Sequence, residues 1–399
     1  MILEDIKKRA SKYHKETVDI RRHLHQHPEL SFEEKKTGHY IKKKLAELKI
    51  PHKYGIAENG VVGIIKGKDP GKKVLALRAD IDALPITEAN KVKYKSKNPG
   101  VMHACGHDVH TASLLGSAKI LNELKDQFSG TIKLIFQPAE ERLPGGASIM
   151  IKEGVLKNPN THHILGQHVH PPLEAGKIGM RAGNYMASAD ELFMTVTGKG
   201  GHGALPHDCI DPIVATSHII VALQQVISRR ANPTTPTVIT FGKINSTGGS
   251  TNVIPNEVKL LGTFRTMDEK WRKKAHKILV EVAHGVAKSL GAKCKLTILK
   301  GYPVLFNNEE LTNATRQHAI EFLGKRNVVD LPIRMTAEDF AFYSQKIPAC
   351  FYRLGTGNKR KGITSPVHTN TFNIDESSLE LSTGLMSWLA IRQLGNGKV

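Results

Sequence analysis

HACGHDVHTASLLGSAKILNELKDQFSGTIKLIFQPAEE, residues 103–141, carries one helix and one strand between two polar clusters. Val109, Ala112, Leu115, Ala118, Leu121 and Leu124 recur at three-residue steps, which predicts a helix over 106–125 with one apolar face. GTIKLIF (130–136) then reads as a strand. Upstream, VVGIIKG (61–67) and KVLALRAD (73–80) also read as strands. The second is almost continuously apolar and suits the centre of a sheet buried on both faces. Residues 3–27 and 33–49 read as amphipathic helices separated by His27-Pro28, and a further helix is expected over about 145–153. Strands alternating with helices predict an α/β sheet covered on both faces.

From about residue 187 the texture changes. ELFMTVTG reads as a strand, 211–230 as a helix, TVITFGKI and VKLLGTFR as strands, 268–290 as a helix and AKCKLTIL as a strand. That β-α-β-β-α-β order is ferredoxin-like. Alternation resumes after about 300 and ends in a helix near 375–394. The expected organisation is a mixed-sheet α/β domain in two parts, 1–186 and 300–399, interrupted by an α+β insert at 187–299.

At 399 residues with 40% apolar content, the chain is long enough for two cores. No apolar run approaches the ~18 residues needed to span a bilayer. The amphipathic, acid-containing start MILEDIKKRASKYHKE lacks the apolar stretch of a secretory signal. Cys105, Cys209, Cys294 and Cys350 are too sparse for a disulfide scaffold, so a reducing cytoplasm is the expected setting. The net charge of +20, from 57 basic and 37 acidic residues, raises nucleic-acid binding as a remote alternative. The lysine clusters are not interleaved with aromatics as a stacking platform requires, and a basic solvated surface accounts for them. Neither nucleic acid nor membrane is an expected partner.

The polar clusters point to a metal. Cys105 and His107 flank Gly106, which lets the backbone aim a thiol and an imidazole at one point. Glu140 and Glu141 follow the strand 130–136, and two more His-containing segments, GQHVHP (166–171) and SPVHTNTF (365–372), can complete the set. Thiolate, imidazole and paired carboxylates suit a divalent cation plus a base for its water, hence metal-assisted hydrolysis. Adjacent acids at a strand end diverge, one toward the metal and one toward the water. Asp82, or Asp80 in its place, is a candidate to orient a ligand histidine. His110 is expected to be structural, His170 to lie at the surface, and His162 and His163 to form a solvated loop pair. No G-x-S-x-G elbow, G-x-x-x-x-G-K-[ST] loop or H-x-E…P-C-x-x-C pattern is present.

The ordered motifs RRHLHQHPELSFEE, LRADIDALPI, HACGHDVHTA, QPAEE, GQHVHP, GKGGHGALPH, STNVIP, TAEDFAFY and VHTNTFNIDE cover nearly the whole chain. Together they resemble the two-metal aminoacylase, hippurate hydrolase and auxin-conjugate (IAA-amino acid) hydrolase family, related to the dinuclear zinc carboxypeptidases. The resemblance implies a zinc-exopeptidase-like catalytic domain with an inserted ferredoxin-like lid that also dimerises, giving a homodimer or homotetramer. It implies two divalent ions per chain (Zn, Mn, Co or Ni), held by Cys105, His107, Glu141, His168 and His368. Glu140 is then the general base. His202 reaches across a dimer to stabilise an oxyanion, and Asn252 and Arg265 contact the substrate carboxylate. In related dimetal peptidases the positions of Asp80 and Asp82 read His-x-Asp with a ligand His, which this chain lacks. The implied reaction is hydrolysis of N-acyl-amino acids; a metallo-carboxypeptidase or dipeptidase on the same scaffold is the nearest alternative.

Overall fold

A computed structural model describes residues 2–395. In chain order its elements are α1 (Ile2–Gln26), α2 (Lys35–Glu47), β1 (His52–Ile56), β2 (Gly60–Lys66), β3 (Val74–Asp80), α3 (His107–Glu123), β4 (Thr131–Gln137), α4 (Gly146–Lys152), β5 (His163–Glu174), β6 (Ile178–Met180) and β7 (Gly183–Met186). There follow β8 (Asp190–Thr197), β9 (Gly201–His202), α5 (Pro212–Gln225), β10 (Thr237–Ser246), β11 (Val253–Ile254), β12 (Glu257–Thr266), α6 (Glu269–Ser289) and β13 (Lys293–Lys300). The last are β14 (Leu305–Asn307), α7 (Glu309–Leu323), β15 (Val328–Asp330), α8 (Ala341–Ser344), β16 (Ala349–Gly357) and α9 (Ser378–Gln393). The chain divides into two units: 1–183 with 306–332 and 339–399, and 184–305 with 333–338.

The first unit is built on an eight-stranded mixed sheet, ordered β1-β2-β4-β3-β5-β16-β6-β15. β4, β3, β5 and β16 run parallel to one another. β2 and β6 are antiparallel neighbours at either side of that block. All seven residues of β3 and of β4 are buried, as expected for strands covered on both faces. α3 and α9 pack against α1 and against each other over the central strands. Their apolar faces merge with the sheet in one core that includes Leu77, Leu115, Leu134, Leu165, Leu354 and Trp388.

The second unit is an antiparallel four-stranded sheet, ordered β10-β12-β8-β13, with the β-α-β-β-α-β connectivity of a ferredoxin-like fold. β8 alternates strictly: Leu192, Met194 and Val196 face a core shared with α5 and α6, while Glu191 and Phe193 are exposed. Asp211 caps α5 by accepting from the Ile213 and Val214 amides, and Asp268 caps α6 through the Trp271 amide. The expected single helix over 211–230 widens at Val226 into one π turn that runs to Arg230. Among the described residues no helix is long and apolar enough to cross a membrane.

Candidate metal centre

The parallel strands of the first unit converge their carboxyl ends on one place, where α/β sheets expose side chains that no further strand covers. β3 runs out through Asp80 to Asp82, and β4 runs out through Gln137 to Glu140 and Glu141. β5 carries His168. Cys105 and His107 come from the turn that opens α3. Gly106 between them has φ +83°, and a Cβ there would lie 2.6 Å from Val169 Cγ2 on β5. Glycine alone permits both the left-handed turn and that close approach.

The hydrogen bonds of each imidazole fix which nitrogen is available. His107 Nδ1 donates to the Asp82 carbonyl oxygen at 2.9 Å and to Asp82 Oδ1 at 3.1 Å. Its Nε2 is buried with no hydrogen-bond partner, 4.0 Å from Glu140 Oε2, 4.0 Å from Glu141 Oε1 and 3.7 Å from Asp80 Oδ2. His168 Nδ1 donates to the Val169 carbonyl at 2.8 Å, which leaves Nε2 3.3 Å from Cys105 Sγ. His368 Nε2 lies 3.3 Å from the same sulfur and 3.2 Å from Glu141 Oε1. His368 sits in a loop at φ +63°, and its amide donates to the Ala104 carbonyl at 2.8 Å, beside Cys105. The thiol thus lies between two imidazoles, and Glu141 lies between His368 and His107.

His110 cannot join this set. Its Nδ1 donates to Asp80 Oδ1 at 2.5 Å and its Nε2 accepts the Val169 amide at 2.9 Å, so neither nitrogen keeps a free lone pair. The expected structural role is the one its hydrogen bonds describe. Asp80 is further held by Arg78 at 2.6 Å. Asp82 and Asp80 therefore both serve histidines, one orienting His107 and the other His110. Asp82 Oδ2 also accepts from the Ser31 hydroxyl at 2.6 Å and the Glu141 amide at 2.9 Å. Burial alone would raise Asp82, but the hydrogen bonds from His107, Ser31 and Glu141 hold it below the usual carboxylate range.

The donor set fits a divalent cation. Among the described residues five groups of possible ligand atoms lie within 4.8 Å of one another: Cys105, His107 and His168; Cys105, Glu141 and His368; His107, Glu140 and Glu141; Asp80, His107 and His110; and Glu140, Glu338 and Asp339. Burial and then Glu141, Glu140 and Asp80 push the Cys105 thiol well up. Burial opposes charge on His107, but Asp80, Asp82 and Glu141 outweigh it and raise the imidazole to about 10. A cluster that drives its imidazole to hold a proton and its thiol to stay neutral is one short of positive charge. A divalent ion supplies that charge and holds the sulfur as thiolate.

Two further devices hold these loops from behind. Glu34 is fully buried, and its Oε1 accepts the Ala139 amide at 2.7 Å. Ala139 is in the left-handed region, φ +51°, immediately before Glu140. Arg21 donates to Asp108 at 2.8 Å, and His25 bridges Asp108 at 2.8 Å and Glu88 at 3.2 Å. Ser31, Glu34 and Arg21 lie in the segment 21–34, where nothing local in the sequence assigns them these roles. Their partners lie more than fifty positions away, and only their dense acid-base composition marked them.

His202, Asn252 and Arg265 belong to the second unit. His202 pairs with Val253 across the β9–β11 ribbon, and the Gly203 amide donates to the Asn252 carbonyl at 2.7 Å, so His202 and Asn252 are neighbours. His202 Nδ1 accepts the Ala204 amide at 3.1 Å, which puts the neutral ring's proton on Nε2. Arg265, near the end of β12, is half-buried and donates to the Met335 carbonyl at 3.2 Å. His170 is half-buried in β5 rather than at the surface. Of the expected loop pair at 162–163, His162 does lie exposed outside any strand, while His163 is corrected. His163 begins β5, and His162 Nδ1 accepts the Val74 amide at 3.0 Å, because these residues pair the start of β5 with β3.

Comparison with known proteins is consistent across sequence and structure. The family model described as peptidase family M20/M25/M40 matches residues 76–390. An N-acyl-L-amino acid amidohydrolase of Geobacillus stearothermophilus is 41% identical over 315 residues, covering 78% of this chain and 83% of that protein. Thermostable carboxypeptidase 2 of Saccharolobus solfataricus is 38% identical over 394 residues, 98% of each. The crystal structure of the Bacillus subtilis YXEP protein, described as a dinuclear metal binding peptidase, superposes with a TM-score of 0.83 at 35% identity, covering 97% of this chain and all of that one.

Proposed function

The chain belongs to peptidase family M20/M25/M40 and is a hydrolase acting on amide bonds, and from that premise we propose that it is a two-metal N-acyl-amino-acid amidohydrolase. The observation that carries the reading is the buried, unpartnered Nε2 of His107, with the Cys105 thiol, the His168 imidazole and the Asp80, Glu140 and Glu141 carboxylates grouped around that ring. Cys105, His107, Glu141, His168 and His368 would hold two divalent ions, with Zn, Mn, Co or Ni all suited to a mixed sulfur, nitrogen and oxygen set. Ions bound there would polarise the amide carbonyl and lower the pKa of water toward neutrality, from ~15.7 in bulk.

The chain's own residues do the rest. Glu140 is buried beside the ligand turn, takes the proton of the attacking water and passes it to the departing amine. Glu141 Oε1 also lies 3.2 Å from His368 Nε2, which supports its assignment as a ligand. Asp82 keeps the His107 proton on Nδ1, so Nε2 stays a donor to the metal. His202 offers its Nε2 proton to the developing oxyanion, from a partner chain in a homodimer or homotetramer. Asn252 and Arg265 bind the free carboxylate of the amino acid, for which a guanidinium is suited. Residues 184–305 act as the lid and dimerisation element, and a reducing cytoplasm suits the free thiol of Cys105.

A carboxypeptidase or dipeptidase is the second reading, favoured by the full-length similarity to the Saccharolobus enzyme. The bond broken is the same and only the acyl pocket differs. The test is a hydrolysis panel of N-acetyl, N-benzoyl and indole-acetyl amino acids beside dipeptides. The amidohydrolase reading expects kcat/KM highest on an N-acyl-amino acid; preference for dipeptides assigns the second reading.

A further inference from the structure

A cavity of about 500 Å³ lies between the carboxyl end of α1 and the start of α2, and none of the proposed metal ligands lines it. That size is typical of a small-molecule site. We propose that it binds a small amphiphilic carboxylate, an organic acid with an apolar body.

Its floor is apolar. Leu24 is buried, and the Tyr40 ring stacks on His23 with centroids 4.2 Å apart and planes at 21°. Its rim is cationic. Lys35, Lys36 and Lys43 surround the mouth with His27 and His39, and none of the lining residues is a carboxylate. His27 and His39 each turn Nδ1 to a backbone carbonyl, at 2.8 and 2.7 Å, which leaves both Nε2 atoms for a ligand or water.

The neighbouring acids lie outside the lining of the cavity. Glu29 accepts the Lys36 and Thr37 amides at 3.2 and 2.8 Å, capping α2. Glu47 pairs with Lys44 at 2.9 Å and Glu16 with Lys119 at 2.6 Å. Burial first, then Glu47, Glu16 and Asp19, raise the Tyr40 phenol to about 12, so it stays a neutral hydroxyl. Burial, and then His27, Lys44 and Lys97, hold the His23 imidazole below its ordinary value. Basic side chains thus ring an apolar floor that no carboxylate lines. An inorganic anion would leave that floor wet, and a neutral apolar molecule would leave the ammonium groups unpaired; a carboxylate on a short alkyl or aryl body satisfies both.

The test uses the metal-loaded enzyme and titrates hexanoate, 3-phenylpropionate, inorganic phosphate and hexanol by calorimetry, with the His23 ring proton followed by NMR. Hexanoate and 3-phenylpropionate are expected to bind and shift the His23 signal, while phosphate and hexanol bind at least about tenfold more weakly. In the doubly charge-reversed variant Lys36→Glu, Lys43→Glu, this binding should weaken by about tenfold or more, with turnover of an N-acyl-amino acid unchanged. Tyr40→Ala should also weaken it by removing the stacked floor. Both lysines are exposed, so the first variant keeps the fold. Acid binding that survives the lysine reversal, as binding at the metal centre would, overturns the proposal. Phosphate binding as tightly as hexanoate also overturns it, as does the absence of any His23 shift.

Discussion

Glu140 and Glu141 are adjacent carboxylates with different surroundings. Glu141 Oε1 faces His368 at 3.2 Å, while Glu140 is buried with its Oε2 4.0 Å from His107 Nε2. Glu140→Gln should therefore keep the metal and the fold but lose ~10²–10⁴-fold in kcat, since the amide cannot accept the water's proton. Glu141→Gln should lower metal affinity instead. Metal analysis beside kcat separates the two, and metal loss confined to the Glu140 variant would reverse their roles. Asp82→Ala leaves the His107 ring without its carboxylate and should weaken metal binding by ~10–100-fold, measured by competition with a chelator. Unchanged affinity would mean that the Asp82 backbone carbonyl alone orients the ring.

The turns that carry these residues depend on local backbone geometry. Gly106→Ala places a Cβ at φ +83° and 2.6 Å from Val169, so it should cost about 2 kcal/mol or more and also weaken metal binding. Thermal melts with and without metal read both effects, and a variant equal to wild type in both would show that the α3 turn relaxes freely. Much at this scale was legible in the sequence. The buried strand 73–80, the helix after Gly106 and the acids after the strand 130–136 announce themselves through periodicity, a glycine between two donors and an apolar run ending in charge. β5 was less legible, because Gln167, His168 and His170 give a central strand polar residues that serve the site rather than the core. The holds of Ser31 on Asp82 and Glu34 on Ala139 had no local signature, since each joins segments remote in sequence. The return of residues 333–338 to the second unit is likewise a long-range pairing, of Met186 with Arg334.

At the scale of the whole molecule, His202, Asn252 and Arg265 lie in the second unit and the proposed metal ligands in the first. If His202 serves a partner's site, inactive His202→Ala chains mixed with inactive Glu140→Gln chains should regain activity. Free exchange makes about half the dimers mixed, each with one complete site of two, so recovery should approach roughly a quarter of wild type. Verified exchange of tagged chains with no recovery would place His202 in its own chain's site or outside catalysis. The central claim, that this chain hydrolyses amides through metal held around Cys105 and His107, is tested most directly by measuring bound metal and N-acyl-amino-acid turnover on the same sample during stepwise chelation and reloading. Turnover should fall with metal content, reach background when metal is gone, and return with up to two ions of Zn²⁺, Mn²⁺, Co²⁺ or Ni²⁺ per chain. A fully metal-free preparation that still turns over would contradict it.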